Sequence, residues 1–416
     1  MEDDHPDGPP EDEPVVDQRL PRVSRRRVLL GLAAGAVSIA AGDLAARAPD
    51  ALAAGATPGA SPSPAASPVP PSDLSSPPSV PLQRQVLKAE NPKLLQAPVN
   101  DLQGIITPNS VHFVRNHFDT PIVDAAQWKL EIAGTVKNPI SLTLDALKAM
   151  PSKVLTSFIE CSGNGRAFFS PKATGAAWTN GGISVAEWTG APLAAVLEKA
   201  GLSENTVDIV AEGGDSGRVF RAIPKAKALD PDTILAYGQN GEALSHDNGY
   251  PVRLVVPGWG GINSIKWIAK ITAVDQPFEG FYNNRYYVYE TPGLPKTPVQ
   301  ALGVKSFIAR PAKDSLVPAS SPAVISGFAW SGLGEIAKVE VSTDGGQSWH
   351  DAELLQPVLR WAWVRWQYTW NTPAPGNATL QSRATDKAGN VQPASVAWNR
   401  YGYGNNAIQA VSVRIG

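Results

Sequence analysis

Apolar and polar side chains alternate from residue 128 to 134, with Trp128, Leu130 and Ile132 set against Lys129 and Glu131. That period of two predicts a half-buried strand. Residues 154–159 read as a second strand, and the apolar runs 207–211 and 252–256 as buried ones. Between them lie two helical patterns. Residues 142–150 are stopped by Pro151, and residues 192–200 have Pro192 in the first turn and Gly201 at the stop. The mixture lacks the regular strand–helix–strand rhythm of a dinucleotide fold and predicts an α+β domain with mixed sheets over residues 95–300. From residue 301 the pattern becomes strands alone, at 323–330, 336–342, 361–366 and 380–386, with the hairpin signal Thr343-Asp344-Gly345-Gly346 after the second. This predicts an immunoglobulin-like β-sandwich over residues 301–416, built without a disulfide. The tryptophans from Trp330 to Trp398 suit its core and an interface.

The N-terminal residues show no such periodicity. Residues 1–20 are acidic and Pro-rich and read as a solvated extension. Then Ser24-Arg25-Arg26-Arg27-Val28-Leu29-Leu30 leads into an Ala- and Gly-rich stretch, and together they resemble a twin-arginine export signal. Asp43 and Arg47 cut the stretch short of the ~20 apolar residues that a membrane span needs. Small residues around Ala51-Leu52-Ala53-Ala54 offer a cleavage site. Residues 1–54 are therefore assigned to the extension and signal, and residues 55–94 to a Pro-, Ser- and Ala-rich linker. The expected route is the twin-arginine translocon, which carries folded proteins. The destination is periplasmic or extracellular, with the chain either released or held at the membrane by an uncleaved signal.

Composition narrows the chemistry. The chain has 416 residues, 43% hydrophobic and 18% charged, with a net charge of −2. Nothing in it suggests a nucleic-acid partner, so any anion site is a local cluster. There is no P-loop, and no G-x-G-x-x-G follows a strand, so neither ATP nor NAD is argued for. The single cysteine, Cys161, excludes a disulfide framework, a Cys₂ or Cys₄ metal site and a covalently attached c-type haem.

Cys161 stands in Glu160-Cys161-Ser162-Gly163-Asn164-Gly165-Arg166, where a strand ends and a Gly-rich turn begins. A lone thiol is inert packing, a nucleophile or a metal ligand, and the donors around this one favour the last. Three other clusters carry polar chemistry. Arg115-Asn116-His117 gathers a guanidinium, an amide and an imidazole. The run from Arg253 through Pro257-Gly258 to Ser264 and Lys266 joins a strand to a Gly-rich turn flanked by basic groups, which suits a phosphate. Around Arg285-Tyr286-Tyr287, a phenol beside an arginine could relay a proton; packing is the plainer reading.

In this order the clusters resemble the sulfite oxidase family of mononuclear molybdenum enzymes. The matching runs are Arg115-Asn116-His117, Cys161-x-Gly163-Asn164-x-Arg166, Tyr237-x-x-Asn240-Gly241-Glu242, Gly249-x-Pro251-x-Arg253 through Lys266-Trp267, and Trp398-Asn399. The resemblance implies a molybdopterin-binding domain followed by a sandwich that makes a homodimer. It implies molybdenum with molybdopterin as cofactor, held by the Cys161 thiolate, and no haem in this chain. It places Arg115, Tyr287 and a C-terminal group, here Arg400, at the substrate, with Tyr286 as the alternative phenol. Asn116, His117, Ser162, Asn164, Arg166, Asn248, Arg253, Asn263, Ser264 and Lys266 are placed around the cofactor. Asn248 stands where a histidine is expected, Asn263 where vertebrate members have arginine, and Tyr401 in the slot of the substrate-facing arginine, one residue from Arg400.

The implied activity is oxidation of sulfite to sulfate by oxygen-atom transfer, with electrons leaving to a separate carrier such as a c-type cytochrome. A sulfane dehydrogenase component of thiosulfate oxidation, or another sulfur-compound oxidoreductase, is the alternative. A cofactor-free exported Ig-like binding module is the competing class.

Overall fold

Strand Lys153–Glu160 carries the cysteine turn at its C-terminal end and runs antiparallel to Ile183–Pro192 over its whole length. The structure, a computed structural model, describes residues 82–90 and 92–416. The extension and signal assigned to residues 1–54 lie outside the described residues, as does most of the linker. The linker's last part is folded. Gln85–Lys88 pairs with Leu94–Gln96, which pairs with Val114–Arg115, so a three-stranded sheet holds Arg115 in place. Sheet structure thus begins ahead of the boundary placed at residue 95.

Two five-stranded sheets make up most of the first domain. One runs Glu242–Ala243, Ile234–Gln239, Ile183–Pro192, Lys153–Glu160, with Arg253–Val255 also paired to Ile234–Gln239. The other runs Ile140–Thr143, Lys129–Gly134, Ile268–Val274, Asp208–Gly213, Phe220–Pro224, and only its second and third strands are parallel. The alternation at 128–134 becomes strand Lys129–Gly134, which buries Leu130 and Ile132. The helix expected at 142–150 is shorter. Residues 140–143 continue the sheet, and the helix runs Leu144–Lys148, where the Thr143 hydroxyl accepts a hydrogen bond from the Ala146 amide. Helix Leu193–Lys199 follows Pro192 and ends before Gly201, whose φ of +70° lets the chain reverse.

The second domain is a sandwich. One layer holds Lys305–Arg310, Pro322–Trp330, Val364–Asn371 and His350–Leu355. The last of these also pairs with the other layer of Ile336–Ser342, Gly376–Asp386, Ala410–Ile415 and Leu316–Val317. The hairpin signal at 343–346 joins Ile336–Ser342 to His350–Leu355, as its turn residues require. The strand expected to start at 361 begins at Val364 instead.

The sandwich has its own core around Trp366 and Trp370, and a second set of its residues joins the core of the first domain. Phe158, Ile159 and Cys161 pack in the same cluster as Phe307, Phe328, Trp330 and Trp363 of the sandwich. The Phe158 amide donates to the Trp361 carbonyl at 2.6 Å. Behind the cysteine, the buried Glu160 carboxylate accepts from Trp330 Nε1 at 2.7 Å and from Asn164 Nδ2 at 2.8 Å. The sandwich therefore supports the turn that carries the thiol.

Candidate active site

Cys161 opens its turn by donating its backbone amide to the Gly182 carbonyl at 2.7 Å, while its own carbonyl accepts from the Asn164 amide at 2.9 Å. Gly260 lies so close to this turn that a Cβ there would come within 2.7 Å of Ser162 Oγ. Cys161, Arg115, Asn116, His117, Ser162, Asn248, Arg253, Ser264, Lys266 and Tyr287 all line one cleft, with ≈ 710 Å³ of space including its mouth. Ten of the residues singled out from separate stretches of sequence therefore converge.

Four do not line it. Asn164 is taken up by the turn: its amide donates to Glu160 and its Oδ1 accepts from the Gly182 amide. Arg166 is buried beneath the cysteine turn, with Nε donating to the Tyr401 carbonyl at 2.7 Å and Nη1 to the Ala176 carbonyl at 2.9 Å. It braces the turn against the C-terminal tail. Asn263 donates to the Gly260 carbonyl and accepts from Arg221. Arg400 faces solvent, half exposed and 3.6 Å from Glu290. A flexible guanidinium with a surface carboxylate beside it stays in water, because burying it would strip its hydration. Tyr401 packs edge-on against Tyr286 and roughly parallel to Tyr403.

The lining is strongly cationic. Arg253 Nη1 and Nη2 donate to the Asn248 and Ser264 carbonyls at 3.0 and 3.1 Å, and its Nε has no partner. Burial lowers its pKa to about 9. Lys266 Nζ donates to Asn116 Oδ1 and to the Asp247 carbonyl, and burial, together with the Arg253 charge, holds its pKa well below the usual lysine range. Asn116 donates in turn to Thr120, which donates to Asp247, itself 3.1 Å from Lys93. His117 Nε2 lies 2.8 Å from the Tyr287 hydroxyl; burial first, then Arg115 and Lys266, push its pKa down, so the ring is neutral. Tyr287 stacks on Tyr403 with ring centres 5.0 Å apart.

His112, Asp215 and Gly213 also line the cleft and were not singled out from the sequence. His112 Nδ1 lies 3.1 Å from the Phe113 carbonyl, which can only accept, so Nδ1 carries the proton and Nε2 is left as a buried acceptor with no partner. Burial lowers its pKa to about 3. Asp215 sits in Gly213-Gly214-Asp215-Ser216-Gly217, a Gly-rich run whose signal was readable. Burial raises the pKa of its carboxyl.

These features fit a bound anionic pterin. Ser162, Arg253 and His112 each carry an unpartnered buried polar atom and line a cleft whose lining holds Arg115, Arg253 and Lys266 but only one carboxylate, Asp215. An anion supplies the missing countercharge and partners. Among the described residues no three His, Cys, Asp or Glu side chains converge.

Comparison with known proteins points the same way. The family described as "Oxidoreductase molybdopterin binding domain" matches residues 117–282, and "Mo-co oxidoreductase dimerisation domain" matches residues 296–415. Mitochondrial sulfite oxidase of Mus musculus is 36% identical over 340 residues, covering 75% of this chain and 62% of that protein. The Rattus norvegicus enzyme is 34% identical over 377 residues, covering 83% of this chain and 69% of its own length. Among solved structures, the sulfane dehydrogenase SoxCD from Paracoccus pantotrophus superposes with a TM-score of 0.73 at 33% identity, over 79% of this chain and 87% of that one.

Proposed function

Since the chain belongs to the sulfite oxidase family, we propose that it is an exported molybdenum oxidoreductase that oxidises sulfite to sulfate and passes electrons to a separate carrier such as a c-type cytochrome. The observation that carries this reading is the convergence of the chain's one thiol with Arg115, His117 and Tyr287 in a single cationic cleft. When bound there, molybdenum with molybdopterin supplies oxygen-atom transfer and a two-electron redox change.

The chain's own residues do the rest. The Cys161 thiolate holds the metal, as a soft sulfur ligand suits such a site. Arg253 and Lys266, held by carbonyl and amide oxygens, and Ser264, whose hydroxyl oxygen accepts from the Val256 amide, would bind the pterin and its phosphate. His112 Nε2 would serve as a buried acceptor for a donor on the bound cofactor. Arg115 draws the oxyanion out of water by supplying a fixed positive charge, which a neutral His117 does not oppose. The 2.8 Å contact between Tyr287 and His117 holds the phenol in one direction. The twin-arginine motif at residues 24–30 supports export, and the match of residues 296–415 to a dimerisation domain supports a homodimer.

Sulfane oxidation, as in a thiosulfate-oxidising system, is the second reading. It is favoured by the superposition over 87% of SoxCD and by Tyr401 in the slot of a substrate-facing arginine, which leaves the cleft with one cation fewer. Expression with and without molybdate, followed by metal counting, tests the shared premise. About one molybdenum per chain is expected, and metal-free protein from a cofactor-competent host would favour a binding module. Steady-state rates with sulfite and thiosulfate, against cytochrome c, separate the two readings.

A further inference from the structure

Strand Phe220–Pro224 carries an arginine into the core, 1% exposed and outside the cleft lining. Its guanidinium has no carboxylate among its hydrogen-bond partners. Arg221 Nε donates to Asn263 Oδ1 at 2.9 Å, Nη2 to the Val299 carbonyl at 2.7 Å, and Nη1 to the Tyr282 carbonyl. These acceptors belong to three successive segments of the chain, all well removed from residue 221. Two of them flank Tyr287. Tyr282 lies in the turn Phe281–Arg285 just before it, and the Val299 amide donates to the Tyr287 carbonyl at 2.8 Å. Strand Phe220–Pro224 grips the same turn a second time, through the Ala222 amide and Asn283 Oδ1 at 3.1 Å.

Tyr287 needs such a hold. Its φ of +55° lies in the left-handed region, which a bulky side chain adopts only where its surroundings over-determine it. A buried arginine is itself costly, and an apolar residue of similar size would fill the space more cheaply. A planar fork with donors on three sides ties two backbone carbonyls and the Asn263 side-chain amide together, which no apolar residue does. Burial lowers the Arg221 pKa to about 10, and the opposing influences are the phenols of Tyr287 and Tyr403, which places the charge within electrostatic reach of the cleft's phenol.

We propose that Arg221 is a positioning residue for Tyr287: by bridging Asn263, Tyr282 and Val299 it holds the phenol against His117 in the cleft. This rests on reading the cleft as the active site, although the tether itself can be measured without turnover.

The test compares Arg221→Lys, which keeps a charge but gathers its donors on one nitrogen and so cannot span acceptors set around a planar fork, with Arg221→Gln. Arg221→Lys alone serves where Arg221→Gln does not fold. In metal-free protein, amide exchange over residues 281–289 is expected to quicken by about tenfold or more in both variants. The Tyr287 phenol, read as the ultraviolet phenolate difference between each protein and its Tyr287→Phe counterpart, is expected to ionise at higher pH in Arg221→Gln. In the loaded enzyme kcat falls by about tenfold to a hundredfold while KM and molybdenum content hold. Unchanged exchange and unchanged phenol ionisation in both variants would overturn the proposal, as would loss of molybdenum in step with kcat. If the wild-type protein turned over no sulfur substrate, the functional reading would fail, and the exchange and ionisation measurements would still decide the role of Arg221.

Discussion

Lys305 Nζ of the sandwich lies 3.6 Å from Glu160 Oε1 of the first domain, both side chains are buried, and the next residue along the chain is Cys161. The ammonium also lies over the Trp330 ring, 5.6 Å from its centre. The second domain thus supplies the countercharge for a carboxylate that anchors the cysteine turn.

Removing one member of that pair strands the other. Lys305→Met should cost about 3–5 kcal/mol, the usual penalty for leaving a buried charge without its partner. Glu160→Gln together with Lys305→Met should recover most of the loss. Urea unfolding of the three proteins measures this, and a Lys305→Met protein as stable as wild type would show that the pair carries no weight.

Cys161→Ser should leave a folded protein without turnover, since the backbone amide and carbonyl of residue 161 make hydrogen bonds that shape its turn and the substitution keeps both. Arg115→Ala should weaken sulfite binding more than it lowers pterin content. Equal loss of both would move Arg115 from the substrate to the cofactor. Circular dichroism, pterin release and steady-state kinetics separate the outcomes.

Lys266→Met should leave metal-free protein as stable as wild type or more so, because it removes a charge that burial already disfavours. The same change should abolish any rise in melting temperature produced by inorganic phosphate. A large fall in metal-free stability with phosphate stabilisation intact would assign Lys266 to the fold.

Acid should destabilise the protein in part through its histidines. The folded-state pKa of His112 is lowered to about 3, so between its unfolded value of 6.5 and that point the unfolded chain binds the extra proton. The contribution is fully present above pH 6.5 and is lost as pH falls, at up to about 1.4 kcal/mol per unit. His117 acts in the same direction. His112→Gln should flatten the fall in stability by about one proton's worth, as measured by denaturant titrations from neutral pH downward.

Local pattern made much of the fold legible. The alternation at 128–134 needs only one buried face to become a strand, and the turn residues at 343–346 need only a reversal between two strands. The helix expected from 142 began later because residues 140–143 found a partner strand in Lys129–Gly134, and pairing across a sheet leaves no mark on local periodicity. The same limit explains the sites. Cys161 and Lys266 stood out because a thiol and an ammonium sit beside Gly-rich turns, and Arg115 because its guanidinium adjoins an amide and an imidazole. His112 did not, because its role depends on which ring nitrogen its neighbour's carbonyl engages.

The amino-acid sequence by itself determined the types of element, the identity of the thiol and the set of cationic groups, since each follows from residue chemistry and short-range spacing. Only the tertiary structure decided which of those groups face one cleft. Asn164, Arg166 and Asn263 turned to bracing the backbone, Arg400 stayed in solvent, and Arg221 became the tie behind Tyr287. A polar side chain points wherever its hydrogen bonds are completed at least cost, and those partners come from segments brought together only by packing.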